Sequence, residues 1–359
     1  MLQYVGRRLL LAIPVIIGIL VVTFLLARLI PGDPCKAILG EKATAEACEA
    51  FAANKGLDEP VITQLGIYMG DMATGDFGSS IRFKRPVAQI MVERFPMTIE
   101  LSIAALAIAL VVGVSLGVLS AMRHNSGVDV GTMVFANIGV SMPVFWLGLL
   151  LAYLFGYVLR DTFLALPPSG RLSAGLVSIP FYEAWGWDFQ EGQLAYRAVE
   201  FISNHFIFNS LITADWEILG DAIRHLLLPA VALSTIPMAI IARMTRSSLL
   251  DVLGSQYIRT ARAKGAPERR VVVRHALRNA LLPVTTIVGL QMGMLLSGAI
   301  LTETVFGLAG AGTMLFEAIT ARDFPIIQGF TVVIASSYVL LNLAIDVAYA
   351  YIDPRIRLE

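Results

Sequence analysis

Six stretches of this chain, at 9–27, 101–122, 130–159, 226–242, 279–302 and 324–345, are apolar and free of charged residues. A hydrocarbon core takes about 20 residues of helix to cross, and inside it every backbone N–H and C=O must be satisfied within the protein. The expected fold is therefore an all-α polytopic membrane protein with six transmembrane helices. Composition agrees: 57% of residues are hydrophobic, only 15% are charged, and the mean hydropathy is +0.73. The formal net charge of zero argues against a nucleic-acid partner gripped by a global basic field. The 130–159 run is longer than a span requires and holds Pro143, which predicts a kink or a polar end within it. The 226–242 run is the weakest of the six. Arg7 and Arg8 precede the first run in the manner of a signal peptide, but the run is long and ends without a small-residue cleavage site, so it reads as a retained helix.

Basic residues near a span mark the cytoplasmic side. Arg7, Arg8 and Arg123 fall on one side of a six-span layout, with Arg243, Arg246, Arg259, Arg262, Lys264, Arg269, Arg270, Arg274, Arg278, Arg355 and Arg357. Both termini are thus expected in the cytoplasm, and loops 31–97, 158–225 and 303–323 outside. Cys35 and Cys48 share the first external loop, where an oxidising compartment permits a disulfide. The second excursion holds an aromatic stretch with Trp185 and Trp187, of the kind found at headgroup level. Apolar residues in 201–212, interrupted by Asn204, His205 and Asn209, read as a surface or interfacial helix.

Catalytic chemistry is hard to place. No phosphate loop of the form G-x-x-x-x-G-K-[ST] occurs, nor any Gly-Lys pair, so ATP has no ordinary seat here. The H-E-x-x-H zinc signature is also missing, and His124, His205, His225 and His275 are scattered. No catalytic or metal-ligating residue is assigned, and any driving energy is expected from a partner or an ion gradient.

The most informative segment lies between the fourth and fifth runs. Tyr257-Ile258-Arg259-Thr260-Ala261-Arg262-Ala263-Lys264-Gly265 reads as a short helix with small residues at Ala261 and Ala263, long basic side chains around them and a stop at Gly265. Such a compact face could fit a groove in a soluble partner. It could equally be an ordinary basic loop drawn to anionic lipid. The continuation through His275, Arg278 and Asn279 to Pro283 leads straight back into the fifth span, so force on the turn would reach a spanning helix.

This segment resembles the cytoplasmic coupling loop of ABC importer permeases, whose pattern is Glu-Ala-Ala, three residues, Gly, nine residues, then Ile-x-Leu-Pro. Ala261 and Gly265 match it; Arg259, Thr260 and Arg278 depart from it in the way of the peptide and nickel branch. Further blocks resemble the B-type membrane subunit of that branch: Arg28 to Pro34, Gly56 to Pro60, Gly75 to Ser80, Ser141 to Trp146, Thr302 to Phe306, Arg322 to Pro325, and Asp353-Pro354-Arg355. Ala309 stands where the family usually has Pro, and the second excursion is longer than the family leads one to expect. The resemblance implies a type I-like permease fold divided into an N-terminal helix with its external loop (1–100) and a core permease domain (101–359). The core would carry an external insertion at about 158–225 and the coupling loop at about 247–279. It implies a second homologous permease, two ATPase subunits that bring ATP and Mg, and an extracytoplasmic binding protein. No cofactor belongs to this chain itself. The cargo would be dipeptides or oligopeptides, with nickel complexes or glutathione as the alternative, and the home a prokaryotic cytoplasmic membrane. Coupling would rest on Ala261, Arg262, Ala263, Lys264 and Gly265, with Tyr257, Arg259, His275, Arg278 and Asn279 beside them.

The spans give weaker signals. Gly113/Gly117 and Gly289/Gly293 have the spacing that lets helices approach closely. Gln291 within a span needs a partner in the bundle or in a wet pathway. Asp346, near the end of the last run, is a pathway candidate or a structural cap. A gradient-driven transporter would show repeats or charged midplane helices, neither of which is evident; a non-transport scaffold would tolerate changes throughout 257–279.

Overall fold

The computed structural model describes residues 2–29, 43–54, 58–189 and 193–352. Most of them are helical, with no strand among them beyond an isolated Ser79–Pro86 bridge. Helix α1 (Leu2–Leu29) is followed by the short helices α2 (Ala45–Asn54) and α3 (Val61–Thr74). Then come α4 (Val87–Met122), α5 (Gly127–Ser141) and α6 (Val144–Tyr153), which ends in a π-helical turn, Leu154–Val158. A cap of small helices α7 (Phe181–Ala184), α8 (Leu194–Ser203) and α9 (Phe206–Ile212) precedes α10 (Trp216–Leu253). Helix α11 (Gln256–Ala263) leads to α12 (Glu268–Arg270), which runs through a π-helical stretch, Val271–Ala276, into α13 (Leu277–Gly298). Helices α14 (Ile300–Val305), α15 (Ala311–Ala321) and α16 (Phe324–Ile352) complete the described chain.

Among the described residues five helices are long and apolar enough to cross a membrane, and α5 with α6, bent by 99° at their junction, is long and apolar enough only when the two are counted together. The break falls at Met142-Pro143, where Pro143 starts α6 in an extended conformation. Proline lacks the N–H that would continue α5, so the helical ladder is interrupted at this point.

Helices α4 and α10 run parallel to each other at the centre of the fold. A Cβ on Gly113 would lie 2.8 Å from the Met238 carbonyl oxygen, and one on Gly117 2.6 Å from that of Ala242. Only glycine permits that backbone approach, so the spacing seen in the sequence serves helix packing. Gly289 and Gly293 do the same for α13, facing Ile345 and Tyr338 of α16. Of the apolar window of α10, 78% is buried, against 17% to 33% in the other long helices. The weakest run thus lies in the core helix, which is 38 residues long, about 57 Å at 1.5 Å per residue. It extends past a hydrocarbon core of about 30 Å, so 216–225 and 243–253 are continuous helix rather than loop.

Candidate functional site

At the basic end of the bundle α11 lies across the ends of the long helices. Its anchor is Ile258, fully buried among Ala121 of α4, Leu249 of α10, and Val271, Ala276 and Ala280. Arg259, Thr260, Arg262, Ala263 and Lys264 are exposed, while Ala261 is half-buried. The helix closes through Lys264 N donating to Thr260 O (3.1 Å) and Ala266 N to Ala261 O (3.3 Å). Between them Gly265 has φ +76° with open space around its α-carbon. The requirement for glycine here is therefore the left-handed backbone, which costs other residues energy, and not a lack of room.

Polar contacts fix the turn on both sides. Arg262 reaches across it to Glu268, donating from Nε at 3.1 Å and Nη2 at 2.6 Å. That bond raises the already high pKa of Arg262. Asn279 Nδ2 donates to the Tyr257 hydroxyl at 2.7 Å, and that hydroxyl donates to the His275 carbonyl at 3.4 Å. Ser248 of α10 donates to the Ala280 carbonyl at 2.8 Å. The holding role thus falls to Ile258, Tyr257 and Asn279; Arg259 and Arg278 are exposed, and His275 contributes its backbone. Ile258 escaped the sequence reading because one isoleucine in a basic segment gives no periodic signal.

The opposite end is a polar-stitched cap. Glu303 is fully buried; it accepts from Thr98 Oγ1 (2.6 Å) and Thr313 N (2.8 Å), and Thr98 Oγ1 accepts from Ala311 N (2.8 Å). The carboxylate thereby satisfies the start of α15, as expected of an anion at a helix N-terminus. A Cβ on Gly310 or Gly312 would strike it, which accounts for the glycines after Phe306. Burial pushes the Glu303 carboxyl pKa up. Asp323 joins two distant motif blocks: its Oδ2 accepts from Ser80 Oγ (2.5 Å) and Arg82 N (3.0 Å). Glu100 of α4 accepts from Arg171 Nη2 (3.0 Å) and Ile207 N (2.8 Å), while the Arg171 guanidinium lies 3.8 Å from the Phe206 ring centre. Burial lowers the Arg171 pKa and Glu100 opposes that shift.

The expected interfacial helix at 201–212 is instead two helices, α8 and α9, with Asn209 and Ser210 buried. Asn209 accepts from Phe181 N (2.8 Å) and donates to Ile179 O (2.7 Å) and the Ser178 hydroxyl (3.0 Å). Its polarity is used internally, so it is no sign of a wet surface. Gln291 is buried in α13. Cys48 is disulfide-bonded; Cys35, residues 30–34 and 55–57 of the early motif blocks, and Asp353 to Arg355 lie outside the described residues. Asp346 belongs to α16, but its side chain is outside those described. Among the described residues no group of three or more His, Cys, Asp or Glu could hold a metal.

The chain is similar to known transport proteins over nearly its whole length. Residues 113–358 match the family described as the binding-protein-dependent transport system inner membrane component, and residues 1–102 match its N-terminal counterpart. The dipeptide transport system permease protein DppB of Alkalihalophilus pseudofirmus is 45% identical over 99% of this chain and 100% of its own length. The di/tripeptide transport system permease protein DppB of Pseudomonas aeruginosa and the dipeptide transport system permease protein DppB of Escherichia coli are each 42% identical over 99% of both chains. This multi-pass membrane chain belongs to the family of inner-membrane components of binding-protein-dependent transport systems, the permease subunits of ABC importers.

Proposed function

We propose that the chain is the permease subunit of an importer that moves dipeptides or short oligopeptides into a prokaryotic cell through its cytoplasmic membrane. The basic end, with α11 and both termini, faces the cytoplasm; the cap built on Glu303, Asp323 and Glu100 faces outward. A second, related permease completes the pathway, and a binding protein delivers cargo to the cap. Two ATPase subunits grip α11 and its counterpart, and ATP and Mg act there rather than on this chain. The observation that carries the reading is α11 itself, an exposed small-and-basic face rigidly seated on the ends of α4, α10 and α13. ATP binding draws the two coupling helices together and turns the cavity outward; hydrolysis and release return it. Peptide cargo is supported over nickel complexes or glutathione by relatives named for dipeptides along the whole length.

The test is purification of the tagged chain from its native membrane in mild detergent, wild type beside Gly265→Trp. Recovery of ATPases and a second permease, with the ATPases alone lost from the variant, is the expected result. An intact wild-type chain that brings no ATPase would refute it.

A further inference from the structure

The turn between α4 and α5 holds a cluster that the coupling segment does not account for. Asp129, buried in the first turn of α5, accepts from Arg246 Nε and Nη2 of α10, each at 2.8 Å. Asn125 N donates to it at 3.0 Å, and the Ser120 hydroxyl of α4 donates as well. A two-pronged guanidinium contact fixes orientation as well as distance. Removing Arg246 would leave the buried Asp129 carboxylate without its ionic partner.

The position of this pair is what gives it consequence. Glycines 113 and 117 press α4 against α10, and Ala121 and Leu249 meet at Ile258, so α4, α10 and α11 form one packed unit. Helix α5 leaves Val130, Val134, Phe135 and Ile138 exposed on one side; on the other it packs through Ala136 among Ala239, Ala242 and Leu116, through Gly139 on Thr235, and through Asp129 on Arg246, its ionic contact with α10. An open groove of about 680 Å³ lies beside the pair, lined by Asn125, Met133, Val134, Asn137, Asp129 and Arg246 among others. Helix α5 is thus one wall of an open groove, held by a small-residue seam and oriented by a charge clamp on the unit that carries α11.

We infer that Asp129 and Arg246 are positioning residues for transport, making the α5 wall follow α10 when α11 is moved. The inference rests on the coupling role proposed for α11. Without the clamp, α10 and α11 still answer to the ATPases, but the α5 wall is tied to them by its small-residue seam alone and follows their movement less closely.

The experiment uses the complete importer in proteoliposomes, with ATP hydrolysis and uptake of radiolabelled alanyl-alanine measured side by side. In Arg246→Met and Asp129→Asn the number of ATP molecules hydrolysed per peptide taken up should rise at least tenfold. Arg246→Lys, which keeps the charge but loses the two-pronged contact, should fall between these and wild type, and it is the variant to read if the others fail to assemble. An unchanged ratio overturns the inference, whether both rates fall together, as for a merely structural pair, or neither changes. If the wild-type complex shows no peptide-dependent hydrolysis, the importer reading itself fails and the inference falls with it.

Discussion

Replacing Ile258 by alanine isolates how the coupling helix is held. Ile258 is fully buried, while most of its neighbours on α11 face solvent. The substitution removes Cγ1, Cγ2 and Cδ1; at about 0.8 kcal/mol per buried methylene, the lost transfer energy is about 2.4 kcal/mol. Any cavity left behind adds to this, within the range of about 2–5 kcal/mol typical of such truncations. Since about 1.4 kcal/mol corresponds to a factor of ten, the undocked fraction of α11 should rise at least ~50-fold. Hydrogen exchange on the protein in nanodiscs reads this directly, with amides of 257–266 exchanging at least ~50-fold faster and those in the middle of α10 unaltered. Unchanged protection over 257–266, or equal acceleration along α10, would refute the anchoring role.

Gly265→Asn should retain most transport and Gly265→Val should lose it, because space is open at this position and only the left-handed backbone discriminates; uptake rates at equal expression check this. Gly117→Ala, whose new Cβ would meet the Ala242 carbonyl oxygen at 2.6 Å, should lower the melting temperature by several degrees, whereas Gly131→Ala, with nothing within 4 Å, should leave it unchanged. Glu303 has a pKa raised by burial, so its contribution to stability is greatest below the ordinary glutamate value and declines as pH rises through the folded value. The melting-temperature advantage of wild type over Glu303→Gln should accordingly be larger at pH 5 than at pH 8. An advantage that grows with pH would reverse the sign of that argument.

Sequence reading located the spans because lipid-facing residues announce themselves by hydropathy, and for the same reason it undervalued α10. A helix packed on nearly all sides by protein can hold His225, Pro229, Ser234, Thr235 and Pro237, all buried, where a lipid-facing one would carry leucine and valine. Pro143 gave the position of the break in the third run, but the 99° angle depends on how α6 packs, with Gly148 beneath Phe306. The coupling segment was legible through its short basic helix and Gly265, since both are local. The pairings Ser80 with Asp323, Thr98 with Glu303 and Asp129 with Arg246 join residues far apart in the chain, and no local pattern encodes them. Arg246 had appeared only as one of many basic residues marking a membrane side.

The most direct test of the account is ATP-driven uptake in proteoliposomes containing this chain, its partner permease, the ATPases and the binding protein. A labelled dipeptide should accumulate only with ATP and binding protein, and accumulation should cease with Gly265→Trp while the permease pair remains assembled. Accumulation without ATP, or undiminished accumulation with α11 blocked, would contradict the claim that this chain is a peptide permease driven through its coupling helix.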